Sequence, residues 1–172
     1  AAGEKAALNV IRRHRLLESF LHDVLDFSWD EVHQEADRLE HNITARQTEK
    51  IAAYLRQPAT DPNGEPIPEA DGYLESTDHP VLSEIIVGQT VRIRRIHHSD
   101  AQLLKYLEQK RIRPQAVVTM LEKAPLDGPV TLGVGGHEPS SRHSIDLAIA
   151  DQIFVEVIPQ KLQPTGDSTT EP

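Results

Sequence analysis

The spacing of hydrophobic positions changes once along this chain, and that change divides it. Over residues 10–25, Val10, Leu16, Leu17, Phe20, Leu21, Val24 and Leu25 recur at helical intervals with polar residues between them, which predicts an amphipathic helix. Ser28 and Glu31 have the S-x-x-E spacing of a capping box, and Val32, Ala36 and Leu39 form a second apolar stripe, so the next helix is expected over 29–41. Thr44 and Gln47 repeat the capping pattern ahead of Ile51, Tyr54 and Leu55, and Pro58 stops this third helix.

Between Gln57 and Pro80 five prolines and two glycines exclude long regular structure, and the stretch reads as a linker. Beyond it the period shortens to two: over 90–97, Val91 and Ile93 alternate with Arg92 and Arg94. Leu103, Leu104 and Leu107 mark a helix over 99–110, and short strands are expected at 116–121, 129–134, 142–145 and 152–158, separated by Gly, Pro and Ser. The expected fold is therefore α+β. A helical domain occupies 1–72, with its Pro-rich linker from about 57, and a small β-barrel with one inserted helix occupies 80–158. Residues 159–172 have almost nothing to bury and are expected to be disordered.

Composition narrows the function classes. Zero cysteines exclude disulfides, thiolate metal ligation and a Cys nucleophile, so any metal must be held by oxygen and nitrogen. With 27 acidic against 18 basic residues the net charge is -9, which repels a polyanion and makes this stretch alone a poor nucleic-acid binder. No apolar run approaches the ~20 residues of a membrane span, and the start, AAGEKAALNVIRRHR, lacks both a secretory leader and an initiator Met. A cytoplasmic protein with a truncated or processed start is expected.

The chemistry lies on the first two helices. His14 and Glu18 are four apart, hence on one face. His33, Asp37 and His41 follow at i, i+4 and i+8, and Glu40 stands three beyond Asp37. Imidazole and carboxylate together suit Mn, Fe, Co or Zn better than Ca. The same residue types also make ordinary solvated helix faces, and spacing alone leaves both readings open.

Three motifs favour the ligand reading. R-R-H-R-L-x-E occurs at Arg12 to Glu18, V-H-x-E-A-x-x-x-E-H at Val32 to His41 and P-x-G-x-P-I-P at Pro62 to Pro68. In that order and at those separations the chain resembles the diphtheria toxin repressor family of metal-dependent bacterial transcription regulators, which includes iron-dependent and manganese-transport regulators. The resemblance implies an ancillary metal site of His14, Glu18 and His33, and a primary site of Asp37, Glu40 and His41. It implies too that the second half is SH3-like and lends ligands, for which Asp100 and Gln102 are the nearest equivalents. A carboxylate at Asp37, where iron-responsive members commonly carry Cys, implies Mn(II) or Fe(II) as the cofactor, with Zn(II), Co(II) or Ni(II) able to bind in vitro.

The family begins with a winged helix-turn-helix, absent ahead of Arg12 here, so operator DNA is expected to be reached only through that missing domain. The primary site also lacks the ligand that the family takes from its first helix. A homodimer is expected through the first and third helices, which carry Val10, Phe20, Leu21, Val24, Ile51, Tyr54 and Leu55. No enzyme is expected. A ferritin-like di-iron carboxylate protein needs two E-x-x-H clusters in a four-helix bundle and only one is present, H-E-x-x-H is absent, and a ferrous-transport accessory module leaves Arg12 to His41 unexplained. His22, His97, His98, His137 and His143 read as solvated, Asp61 and Asn63 as non-ligands, and Arg92, Arg94 and Arg95 as a solvated strand face.

Overall fold

A computed structural model describes residues 2–97, 100–135 and 140–159. His98, His137 and the predicted tail after Pro159 lie outside the described residues. Three helices come first: α1 (Ala2–Asp23), α2 (Val32–Glu40) and α3 (Ala45–Tyr54). Leu17 and Leu21 of α1 close on Val32 and Ala36 of α2, with Phe27, Ile43 and Ile51 around them, while Leu16, Ala52 and Ile67 form a second small cluster.

Two helix boundaries differ from the sequence expectation. The start of α1 precedes its apolar stripe by two turns, because the opening residues are good helix formers with nothing to bury. α2 begins at Val32 rather than near Trp29. The Glu31 carboxylate accepts the Ser28 N–H at 3.2 Å and the Ser28 hydroxyl, but no side chain caps the helix in return. Trp29 is the reason: it is 4% exposed, joins the apolar cluster of the sheet, and donates its indole N–H to Asn63 Oδ1 at 2.7 Å, which holds residues 29–31 in a turn. At α3 the reciprocal box is complete, with Thr44 Oγ1 accepting the Gln47 N–H and Gln47 Oε1 accepting the Thr44 N–H.

The second half is a five-stranded antiparallel sheet of order β4-β3-β2-β1-β5, built from β1 (Thr90–Ile96), β2 (Val117–Lys123), β3 (Val130–Val134), β4 (Ser141–Ile145) and β5 (Ile153–Val157). α4 (Ala101–Gln109) is the inserted helix, burying Leu104 and Leu107, and the four-residue α5 (Leu147–Ala150) links the two outer strands. Val91, Ile93, Val118, Met120, Leu132, Ile145, Ile153 and Val155 fill the core beneath α4. The β1–β5 register shifts between Ile93 and Arg95, a bulge at Arg94 that breaks the two-residue alternation. The arginines consequently diverge: Arg94 pairs with Glu156, whereas Arg95 is half-buried over the Phe154 ring.

Within the 57–80 stretch, residues 61–67 are not a free spacer, while residues 73–80 have no regular structure. Asp61, Asn63, Glu65 and Ile67 are buried, and Asp61 Oδ1 accepts the N–H groups of Asn63 (2.8 Å) and Glu65 (2.9 Å), closing a tight turn. The turn lies on β1, where the Asn63 carbonyl accepts the Ile96 N–H at 2.9 Å. Gly64 has φ +81° and sits so close that a Cβ would stand 1.9 Å from the Arg94 carbonyl oxygen. The prolines here stiffen a docked turn, which composition alone cannot distinguish from a linker. Among the described residues no helix is long and apolar enough to cross a membrane.

The capping box makes one local test. Thr44→Ala should lower unfolding stability by about 1 kcal/mol, the usual cost of losing an N-cap oxygen, read from the denaturant midpoint. An unchanged midpoint would mean that α3 is held by packing alone.

Candidate metal centre

Packing of Leu17 and Leu21 on α2 leaves His14 and Glu18 at the margin of the α1–α2 contact, opposite His33, Asp37 and Glu40. Glu18 Oε1 stands 3.2 Å from His14 Nε2 and 2.9 Å from His33 Nδ1, and the two imidazoles meet edge-on with Nε2 and Nδ1 3.0 Å apart. His14 turns its other nitrogen the opposite way: Nδ1 is 2.9 Å from Glu40 Oε2 and 3.4 Å from Asp37 Oδ1. Donor atoms therefore converge in two groups, His14 with Glu18 and His33, and His14 with Asp37 and Glu40, each within 4.8 Å. His14 belongs to both.

His41 is not gathered. Its side chain is 82% exposed and its Nε2 reaches only the far oxygen of Glu40, at 3.6 Å. Asp100 and Gln102 are elsewhere too. The Asp100 carboxylate caps α4 by accepting the Gln102 N–H at 2.8 Å, both residues are exposed, and neither lines the cavity beside the cluster. His22 is exposed and bonds Asp23.

That cavity, about 400 Å³, has His14, Glu18 and His33 on its helical side, Asp61, Asn63 and Glu65 on the turn, and Ile96, His97 and Gln152 on the sheet side. His97, read from the sequence as solvated, is 74% exposed yet lines the cavity, Asp61, set aside as a non-ligand, is buried at its turn wall, and sequence reasoning missed Gln152 and the buried Glu65. The D-P-N-G-E run was a visible signal for the turn, since an Asp opening a Gly-containing turn hydrogen-bonds its own backbone. Nothing local marked Gln152, which the fold brings in from between α5 and β5.

The field in the site is unbalanced towards anions. Burial works against a proton on His14, but hydrogen bonding and charge from Glu18, with Glu40 and Asp37 behind, outweigh it and raise the imidazole from 6.5 to about 9. Burial likewise opposes charge on Glu18, yet its bonds to His14 and His33 bring it below the ordinary value. Asp61 is raised to about 8, first by burial and then by the Glu18 charge. Two imidazoles with hard carboxylate oxygens and no thiolate form a donor set that fits a first-row divalent ion.

Residues 1–69 match the family model "Iron dependent repressor, metal binding and dimerisation domain", and residues 81–157 match the FeoA domain. A helical metal-binding and dimerisation unit followed by an SH3-like sheet domain defines the class. The iron-dependent repressor IdeR of Mycobacterium tuberculosis is 34% identical over 151 residues, covering 79% of this chain and 64% of that protein. The diphtheria toxin repressor of Corynebacterium diphtheriae is 26% identical over 146 residues, covering 79% and 63%. A manganese-dependent transcriptional repressor in complex with manganese superposes with a TM-score of 0.84 at 34% identity, over 91% of this chain and 73% of that one. The repressor ScaR with bound Zn2+ superposes with a TM-score of 0.77 at 30% identity, over 91% and 76%. The chain thus spans less than two thirds of the length of these curated relatives. It belongs to the family of metal-dependent transcriptional repressors that includes IdeR and the diphtheria toxin repressor.

The raised imidazole gives a signed prediction. Folded chain holds a proton on His14 that unfolded chain loses above 6.5, so the stabilisation is full below pH 6.5 and is lost as pH rises through about 9. Asp61 acts in the same direction, its contribution fading as pH climbs from 3.8 through about 8. The Tm of chelator-treated protein should therefore fall between pH 6.5 and 9, and His14→Gln should shrink the fall. A Tm that is flat or rising over that window in the wild type would contradict the assignment.

Proposed function

We propose that this chain is the metal-sensing and dimerisation part of a divalent-metal-dependent transcriptional repressor of metal-homeostasis genes. The carrying observation is the buried carboxylate of Glu18 shared by two imidazoles from two helices, in a chain of repressor family. A divalent ion bound there would cross-link α1 to α2 with coordinate bonds. His14 and His33 would supply nitrogen, and Glu18 oxygen. His97 and Gln152 line the same cavity from the sheet side and, in place of Asp100 and Gln102, are candidates for further ligands from that half.

Mn(II) or Fe(II) is the proposed cofactor. Asp37 puts hard oxygen into the second group, which suits either ion, while Zn(II), Co(II) and Ni(II) can compete in vitro because affinity generally rises along the first-row series. The role proposed for these residues is to bind the ion and report its presence. The surface of net charge -9 does not favour a polyanion, so operator contact is assigned to a part of the repressor outside this chain. Such a protein works in the cytoplasm. Ion binding would act by population shift, stabilising the arrangement in which the ligands converge.

A homodimer is proposed, and the apolar surface supports it. Val10 (50% exposed) on α1, Val24 and Leu25 just after it, and Tyr54 (68% exposed) on α3 lie open, with Phe20 edge-on to Tyr54, whereas Leu21 is interior and does not contribute. The matching family model is itself a metal-binding and dimerisation domain, which supports placing the interface on these helices.

Two measurements test the reading. Calorimetry with Mn(II) should show His33→Ala losing ~10-fold or more in affinity, since even residues behind the ligands can cost that much. Glu40→Ala should lose less, and His14→Ala should impair both groups. The reverse order for His33 and Glu40 would move the stronger site to the Asp37 group, and no effect from any of the three would end the sensor reading. Light scattering should give a dimer that Tyr54→Glu converts to monomer; a monomeric wild type at micromolar concentration would remove the interface.

A further inference from the structure

The helical and sheet halves meet at the 61–65 turn through direct side-chain and backbone contacts. Glu65, 9% exposed, presents one carboxylate oxygen to Arg95 (3.2 Å) and Arg15 (3.5 Å) and the other to His97 Nδ1 (3.0 Å). Arg15 belongs to α1, while Arg95 and His97 belong to β1 and the residue after it. The Arg95 guanidinium also lies over the Phe154 ring, 3.9 Å from its centroid. Beside this hub, Gly64 touches the Arg94 carbonyl at the bulge and Asn63 takes the Ile96 N–H. On the other flank Trp29, from the α1–α2 turn, is sunk in the apolar cluster of the sheet.

We propose that the 61–65 turn, with Glu65 as its hub and Trp29 as its plug, is a latch that docks the sheet half on the helices without metal. His97 and Gln152 are thereby held at the cavity before an ion arrives. Glu65 acts here as a positioning residue. An isolated surface ion pair contributes little, but this carboxylate stands between two part-buried guanidiniums from different halves. Neutralising it removes the anion shared by Arg15 and Arg95 and leaves Arg15 with the more distant Asp61 carboxylate, 3.7 Å away on its own side of the junction, so the attraction across the junction is lost. The buried indole adds a large apolar area that the docked state alone shields from water. None of these contacts depends on the metal-sensing reading, so metal-free protein can test the latch separately.

The chain has one tryptophan, which makes Trp29 emission a direct readout. In the whole chain stripped of metal by chelator, Trp29 should emit as a buried indole and resist acrylamide, and Zn(II) should change this little. Glu65→Gln should shift the emission to the red and raise the quenching constant several-fold while the helical circular dichroism persists. Gly64→Ala leaves every charge in place and forces a Cβ onto the Arg94 carbonyl, so it should do the same; it decides the matter if Glu65→Gln fails to fold. The latch is overturned if Trp29 in the metal-free wild type is quenched freely and becomes shielded only with Zn(II). It is overturned equally if a folded Glu65→Gln, or Gly64→Ala in its place, leaves Trp29 as protected as in the wild type.

Discussion

A carboxylate that is only 2% exposed must be compensated where it stands, and Glu18 imposes that condition on everything near it. Removing an ionised carboxylate from water costs several kcal/mol unless opposite charge and hydrogen bonds replace the lost hydration. Glu18 obtains both from His14 on its own helix and His33 on the next, so the α1–α2 contact has one satisfactory register. Leu17 and Leu21 on Val32 and Ala36 consolidate that register, but equivalent apolar packing could tolerate a slip that the Glu18 bonds cannot. The same carboxylate holds a proton on His14 and discourages charge on Asp61 across the cavity. Well-packed hydrophobic residues would stabilise the junction at least as well, so this concentration of perturbed groups points to function rather than stability.

The sheet half answers to a different constraint. Its strands form an ordinary antiparallel ladder over an apolar core, and nothing in that ladder requires the helices. The dependence enters at the Arg94 bulge, where β1 leaves strict alternation and presents a carbonyl to Gly64 and a guanidinium to Glu65. Bulges commonly re-aim side chains next to functional sites. Here the re-aimed residues are Arg95 and, just beyond the strand, His97, so the irregularity in one domain completes the wall of a cavity whose other wall is helical.

The order of helices and strands, the capping box at Thr44 and the one-face placement of His14 with Glu18 were legible because each depends on local periodicity or local hydrogen bonding. The start of α2 was not, since the Ser28–Glu31 spacing is a genuine capping signal that a tertiary contact, the burial of Trp29, overrides. The 61–67 part of the 57–80 stretch misled for a related reason: proline and glycine report that a segment is irregular, not whether it is docked. Within the site, His33, Asp37 and Glu40 were visible as a helical set, and the family resemblance divided the candidates into His14, Glu18 and His33 on one hand and Asp37, Glu40 and His41 on the other, but the place of His14 in the second group was not visible. Periodicity places His41 near that face, and only the packed structure reveals that its ring points into solvent while His14 takes part in both groups. His97 and Gln152 come from points more than fifty residues apart and could be joined only by the fold.

The position of His14 has a chemical consequence for how the two groups relate. A neutral imidazole has one lone pair, so it can ligate through one ring nitrogen while the other carries hydrogen and donates. If Nε2 serves the Glu18 and His33 group, Nδ1–H is left to donate to Glu40 or Asp37, both already within reach. A carboxylate behind a ligating histidine fixes its tautomer and raises its basicity, so the second group would then support the first. If instead Nδ1 serves Asp37 and Glu40, Nε2–H points at Glu18 and supports that choice in the same way. One proton on one ring therefore links the two groups: each can use His14 as a direct ligand only while the other uses it as a hydrogen-bond donor. The two clusters are in this sense a single coupled unit.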